Sequence, residues 1–377
     1  MEHARASLIW GHLEVATRAE EVSRAFPLTA VDWAALAAPP EDSVQALWVG
    51  HATVFVQMGG VNFIADPIFS ERCAPVQASL RPFAGPKRVV PPALNGTEQQ
   101  MPPLDFVLLS HNHYDHLDTN SVRTLYKRYG KALTWYVPLG LRAWFASEGV
   151  PASSVVEMDW WQSATHNSSR SGKSVKVTMV PAQHWGARGV LDRFRTLWGG
   201  YVVEAPRPDA VPGSEAPGQG DSSKAPATDG TPVAASSQSA AVTTSAASTG
   251  NPLRFYFVGD TGYCPVFKEI GQRFGPIDLA AIPIGAYDPR WFMKPQHVDA
   301  EEGLQIALDV RASVSLAIHH ATWALTDEPM DEPAARLQAA LRERGLPLSS
   351  FVPVRHGERL LVRGGRLTNE PQTLPAA

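Results

Sequence analysis

The sequence predicts a mixed α/β protein whose buried strands deliver metal-binding side chains to one edge. Three observations predict it. From Ala46 onward, short apolar runs rich in Val, Ile and Phe alternate with Gly/Pro turns and longer helical patterns. Four of those runs lead into a His or an Asp. Three His and an Asp also crowd into the six residues 111–116.

Composition narrows the class. The chain has 377 residues, 44% hydrophobic and 19% charged, enough apolar material for a sizeable core. A formal net charge of −4 supplies no general attraction to phosphate backbones, so no nucleic-acid partner is expected. Two distant cysteines, Cys73 and Cys264, do not form a disulfide framework and suit a reducing, cytoplasmic compartment. No secretory leader is expected, and no run approaches the ~18 apolar residues of a spanning helix. Any membrane contact is therefore expected to be peripheral.

Taken in order, residues 1–45 read as an N-terminal segment, partly helical, broken at Pro39-Pro40 and without chemistry. A single domain is expected from 46 to 377. Its residues 105–109 form a strand ending in Ser110-His111-Asn112-His113-Tyr114-Asp115-His116-Leu117-Asp118. Residues 120–129 have helical character and stop at Gly130. The strand 175–180 runs into Gln183-His184, the strand 255–258 into Gly259-Asp260, and the strand 314–318 into His319. Strand ends in an α/β sheet share an edge where sites assemble.

Residues 205–251 are mostly Ala, Ser, Thr, Gly and Pro, with no aromatic residue. Such a stretch cannot bury enough surface to offset its ordering entropy, so a disordered, elongated hairpin loop is predicted between the strands 198–203 and 253–258. A domain boundary there is the alternative.

The spacing of the 111–116 run has a physical reason. Alternate side chains of an extended segment point the same way, so His111 and His113 can converge on one ion. Asp115 and His116 come after a turn and can face a second ion, with Asp260 arriving from another strand to bridge. Imidazole and carboxylate together favour zinc. His184 and His319 join by the strand-end rule. His320 competes with His319, and because strands alternate their faces only one of them reaches the metals. His3, His12 and His166 read as ordinary surface or core residues.

At these residues the chain resembles the metallo-β-lactamase superfamily, whose His-x-His-x-Asp-His signature stands at 111–116. Within it, the chain is similar to the N-acylphosphatidylethanolamine-hydrolysing phospholipase D family. Segments carrying that similarity include Val49-Gly50-His51-Ala52-Thr53-Val54 and Ala65-Asp66-Pro67-Ile68-Phe69-Ser70. The longest is Ile282-Pro283-Ile284-Gly285-Ala286-Tyr287-Asp288-Pro289-Arg290-Trp291-Phe292-Met293-Lys294, continuing to Gln296-His297-Val298-Asp299. It extends over residues 46–360 apart from the insertion.

The resemblance implies a metallo-β-lactamase αβ/βα sandwich with two Zn2+ per chain. His111, His113 and His184 would hold one ion, and Asp115, His116 and His319 the other. Asp260 would bridge them, and Asp66 would orient a ligand imidazole. Catalytic roles fall to Asp115, Asp260 and His297, with Gln296, His297, Tyr114 and Trp185 beside the substrate. The implied reaction is hydrolysis of N-acylphosphatidylethanolamine to N-acylethanolamine and phosphatidic acid, by a homodimer peripherally associated with internal membranes. Trp185, Trp291, Phe292 and Trp323, near the expected ligands in sequence, offer an apolar route from the bilayer or are core packing. Arg81, Lys87, Arg88, Arg188, Arg193 and Arg195 offer a basic rim or a scattered solvated surface. Two other readings stand beside this one: a hydrolase of a soluble ester, lactone or phosphodiester on the same site, and a non-catalytic, zinc-braced lipid-binding scaffold.

Overall fold

Strands buried on both faces must be covered on both, and the architecture arises from that requirement. The computed structural model describes residues 26–75, 77, 85–189, 191–208 and 251–374. The first sheet contains β1 (Ser43–Gly50), β2 (Thr53–Met58), β3 (Val61–Ala65), β4 (Phe106–Leu108), β5 (Thr134–Pro138) and β6 (Val155–Met158). It is extended beyond β1 by β14 (Arg359–Arg363) and β15 (Arg366–Leu367), in the order β15-β14-β1-β2-β3-β4-β5-β6. The second contains β7 (Ser163–Asn167), β8 (Ser174–Val180), β9 (Gly200–Ala205), β10 (Leu253–Phe257), β11 (Ile277–Pro283), β12 (Ala312–Ile318) and β13 (Phe351–Val352). Its order is β13-β12-β11-β10-β9-β8-β7.

Strand alternation sorts the side chains into layers. Val54, Val56, Phe63 and Phe106 of the first sheet meet Val177, Val203, Phe255 and Leu316 of the second in one apolar core between the sheets. The outer face of the first sheet, with Phe55, Ile64 and Val107, is covered by Val122 and Leu125 of a helix at Thr119–Tyr129. That of the second, with Val202, Tyr256 and Ile282, is covered by helices Val266–Phe274, Ala300–Asp309 and Glu332–Glu343 through Ile270, Leu304 and Leu337. The result is the four-layer αβ/βα sandwich expected from the sequence.

The boundary expected at residue 46 falls inside β1, which begins at Ser43. Phe26 lies in the core between the sheets, and Leu36 of the short helix Trp33–Ala37 packs beneath the first sheet. The apolar surface of these residues is buried by the domain, so the domain includes them; residues 1–25 lie outside the described residues. β9 and β10 pair antiparallel, with Leu253 opposite Ala205, so the chain leaves and re-enters one sheet at adjacent strands. Residues 209–250, and with them the expected disorder, lie outside the described residues.

Phe106, on the strand that leads into the 111–116 run, shows how tightly the core holds that strand. Its fully buried ring stacks on Phe63 at 4.6 Å and meets Tyr136 edge-on at 5.4 Å. Phe106→Ala is expected to lower the unfolding free energy by about 3–5 kcal/mol, the usual cost of emptying a buried ring site. A denaturation curve shifted by less than about 1 kcal/mol would contradict this packing.

Candidate metal centre

The centre is built from strand ends. In the first sheet β1, β3 and β4 run the same way, because β1–β2 and β2–β3 are antiparallel and β3–β4 parallel. In the second, β8 and β10 are each antiparallel to β9, and β10, β11 and β12 are parallel. His51 comes after β1, Asp66 after β3, and the 111–116 run after β4. His184, Asp260 and His319 come after β8, β10 and β12. The four strand ends read from the sequence are all here, joined by two more. The backbone is also unusual: His51, Asp66 and His319 have φ of 52°, 37° and 61°. Non-glycine residues in that region cost of order 1–3 kcal/mol and persist where surrounding structure holds them, often at working sites.

Two groups of donors face each other. His111 Nε2 lies 2.9 Å from His113 Nδ1, which lies 3.2 Å from His184 Nε2. Across from them, Asp115 Oδ2 lies 3.3 Å from His116 Nε2 and 3.5 Å from His319 Nε2. Asp260 stands between the groups. Its Oδ2 is 3.1 Å from His116 Nε2 and 3.8 Å from both His111 Nε2 and His184 Nε2, while Oδ1 is 3.2 Å from His319 Nε2. Donors around a tetrahedral zinc with ~2.05 Å bonds stand about 3.3 Å apart, close to these separations.

Partners behind the rings fix which nitrogen faces inward. Asp66 Oδ2 accepts from His116 Nδ1 at 2.6 Å and from Ser110 Oγ at 2.5 Å, and Asp66 Oδ1 accepts from the Ser110 backbone N–H at 2.7 Å. Ser110 Oγ, its proton given to Asp66, accepts from His111 Nδ1 at 2.9 Å. His184 Nδ1 donates to the Gln296 carbonyl at 2.9 Å. Each of these rings therefore engages Nδ1 behind it and turns Nε2 toward the centre, the orientation a metal requires.

The electrostatics agree. Burial, reinforced by neighbouring imidazoles, holds His111 and His184 well below the ordinary histidine range, hence neutral. For Asp115 and Asp260 burial acts upward, but His116 and His319 outweigh it and keep both carboxyls well below their usual range. Burial acts downward on His116 and His319, yet Asp260 and Asp115 raise both, His319 to about 9. Two buried carboxylates thus draw positive charge into the pocket. His116 Nε2, Asp260 Oδ1 and His319 Nε2, which face the centre, are buried without a hydrogen-bond partner. Unpartnered buried donor atoms around a focus of negative charge fit a pair of cations.

Other expected residues divide. His297 faces the centre, its unpartnered Nδ1 3.9 Å from Asp260 Oδ2. Tyr114 donates its hydroxyl to the Arg188 carbonyl at 2.9 Å, and Trp185 lies edge-on to His113 at 4.4 Å. Gln296 departs from the expectation that it faces substrate: its Oε1 accepts from Trp185 Nε1 at 2.6 Å and its Nε2 contacts Met293 Sδ, so the carboxamide braces the wall. His320 turns away, as strand alternation requires, and stacks on Trp48 at 4.8 Å. His166 is a core residue hydrogen-bonded to the Tyr136 hydroxyl.

Three rim and route residues are corrected. Trp323 is 5% exposed and packs edge-on to His51, so it offers no path to a membrane. Arg88 is buried over the Trp323 ring, donating to the Ile68 and Ser70 carbonyls. Arg188 donates to the Asn112 and Leu117 carbonyls and so ties down the metal loop. Arg81 lies outside the described residues. Ser110 and His51 are site residues that sequence reasoning missed. The strand-end rule, applied to Gly50-His51 after β1, would have found the second.

A family model described as "Beta-lactamase superfamily domain" matches residues 61–211 and 219–320. The chain is 37% identical over 324 residues to the N-acyl-phosphatidylethanolamine-hydrolyzing phospholipase D 1 of Caenorhabditis elegans, covering 84% of this chain and 76% of that protein. It is 28% identical to the mitochondrial N-acyl-phosphatidylethanolamine-hydrolyzing phospholipase D of Saccharomyces cerevisiae, covering 81% of this chain but 53% of the yeast protein. Among solved structures, the isothiocyanate hydrolase from Delia radicum gut bacteria superposes with a TM-score of 0.52 at 15% identity, covering 84% of this chain and 98% of that one. That likeness concerns the fold alone.

Proposed function

The chain belongs to the metallo-β-lactamase superfamily, and from that premise we propose that it is a zinc-dependent phosphodiesterase of the phospholipase D type. The observation that carries a two-metal hydrolase is Asp260, whose two oxygens stand between two sets of inward-facing donors. The substrate, N-acylphosphatidylethanolamine, is proposed from the likeness to relatives named for it.

In this reading His111, His113 and His184 would hold one zinc, Asp115, His116 and His319 the other, and Asp260 would serve both. Bound there, the ions would lower the pKa of a water toward ~7 and draw charge from phosphoryl oxygens. The protein supplies orientation. Asp66 and Gln296 fix the ligand rings from behind, and His297 presents Nδ1 where a phosphoryl oxygen would sit. Burial takes His297 down to about 4, so the ring is neutral there at physiological pH. A P–O bond would form from water as the bond to the N-acylethanolamine oxygen breaks; that oxygen leaves as the alcohol with one proton from the water, and phosphatidic acid remains.

The mouth supports a lipid substrate. Trp291 is 84% and Phe292 57% exposed on the short helix Arg290–Met293, Leu191 87% and Phe194 59% on a loop. Gln183 Nε2 donates to the Pro295 carbonyl, and Trp185 reaches Gln296, so the two segments meet beside the centre. We propose that these side chains enter the bilayer interface, with Arg193 and Arg195 exposed beside them toward anionic headgroups. No helix among the described residues is long and apolar enough to cross a membrane. A homodimer working at internal membranes from the cytoplasm is proposed on the same likeness. Replacing Trp291 and Phe292 together with Ser is expected to cut turnover in lipid micelles about tenfold or more, the loss of little more than one ring's burial energy. Turnover of a soluble phosphodiester should be unchanged; an equal fall on both substrates would reject interfacial docking.

The deciding experiment is a product assay on N-acylphosphatidylethanolamine in mixed micelles. Release of N-acylethanolamine and phosphatidic acid is expected. A protein carrying two zinc ions that leaves the lipid intact and cleaves a soluble ester would reject the lipid reading in favour of the soluble one.

A further inference from the structure

His51 belongs to none of the ligand sets proposed above, yet the fold holds it in the same centre with unusual firmness. It is 1% exposed and sits at φ 52°, a conformation that needs support. Its backbone N–H donates to Thr322 Oγ1 at 2.8 Å. Its carbonyl accepts from Trp48 Nε1 at 2.8 Å and from the backbone N–H of His319 at 3.0 Å. The last bond ties the end of β1 directly to the end of β12, across the two sheets. The ring is held as closely, with its centroid 4.0 Å from that of His319 and its face against the edge of Trp323 at 4.7 Å.

So placed, His51 Nε2 lies 3.0 Å from Asp115 Oδ2. That oxygen is the one that also faces His116 and His319, at 3.3 and 3.5 Å. An ionised carboxylate only accepts hydrogen bonds, so a bond between the two requires the proton on His51 Nε2. A nitrogen carrying that proton has no lone pair left for a metal. A carboxylate oxygen has two lone pairs, and one can take a hydrogen bond while the other takes a cation. We infer that His51 is a positioning residue: its Nε2–H clamps one lone pair of Asp115 Oδ2 and leaves the other turned toward His116 and His319.

The role differs from that of Asp66. Asp66 orients imidazoles, one in each donor group, whereas His51 orients a carboxylate in the second group only. Asp115 is the more open of the two carboxylates of the centre, with 16% of its side-chain surface exposed against 2% for Asp260, so water reaches it where it does not reach Asp260. Outer partners of metal ligands are worth about 10–100-fold in metal affinity.

The inference rests on the two-cation reading of the centre and is independent of the lipid substrate. Its test uses zinc alone as the probe, on the wild type, His51→Phe and His51→Gln. Phe keeps the ring contacts with His319 and Trp323 but removes the donor. Gln restores an N–H at the reach of Nε2. Zinc content is measured by elemental analysis across a chelator titration, and the visible spectrum of the cobalt(II)-substituted proteins is recorded in parallel. The wild type should hold two equivalents. H51F should keep one and lose the other at about 10–100-fold weaker chelation, with an altered cobalt band, and H51Q should recover most of the difference. H51F with wild-type zinc retention, or H51Q as weak as H51F, overturns the role. Should H51F fail to fold, H51Q decides alone: two zinc ions held within a few-fold of wild type support the clamp, and loss of the second overturns it. A wild type that takes up fewer than two equivalents overturns the two-cation reading and this inference with it.

Discussion

Asp260→Asn is expected to reduce turnover about 10²–10³-fold or more, the scale on which removal of a preorganised charge acts in a buried site. The side chain has 2% of its surface exposed and lies within 3.8 Å of four histidine nitrogens. No other described carboxylate touches both donor groups. Asparagine keeps the shape but loses the charge, and its N–H can occupy a ring-nitrogen lone pair that would otherwise be given to a cation. Both metal affinities should therefore fall together, since each group loses the same oxygen donor. The measurement is kcat with zinc content determined on the same sample. Full turnover in Asp260→Asn with two zinc ions bound would remove Asp260 from the mechanism and leave the bridging assignment without support.

That a bridge is legible in the sequence is a consequence of how buried strands are written. A strand covered on both faces reads as a continuous apolar run, so the first titratable residue after it marks the sheet edge. β10 and β12 end in such runs and β8 begins as an alternating strand that turns fully buried toward its end, and each leads within a few residues to a donor. β1 carries Gln45 and ends in Gly50, so its boundary is less sharp, and the sequence gives no role to the His51 beyond it. What sequence cannot carry is the packing of one sheet on another. Gln296 is expected to face substrate because it resembles family residues that do so; its amide is taken by Trp185, 111 residues away in the chain. Trp323 reads as a surface aromatic because it lies near His319, and it is buried because the loop after β12 folds inward over His51. Arg88 and Arg188 read as surface cations, but their donors satisfy backbone carbonyls that no water reaches as readily. Charge predicts exposure on average, and a guanidinium with five donors is the usual exception.

Asp66→Asn should cost both metals about 10–100-fold in affinity, although Asp66 belongs to neither donor group. The reason lies in the two paths that end on its carboxylate. One is direct, from His116 Nδ1. The other passes through Ser110 Oγ to His111 Nδ1. A single buried carboxylate thereby sets the tautomer of one imidazole on each side of the centre. Burial pushes Asp66 upward, while the three hydrogen bonds from His116 and Ser110 oppose the rise. Asparagine would present an N–H to one of these donors and break at least one path. The two paths can be separated. Ser110→Ala should weaken the set of His111, His113 and His184 alone, because His116 keeps its direct bond to Asp66. Competition with a chelator, read as one or two zinc ions released, distinguishes the variants. Loss of both ions in Ser110→Ala, or of neither in Asp66→Asn, would show that the ligand rings are held by packing rather than by this hydrogen-bonded carboxylate.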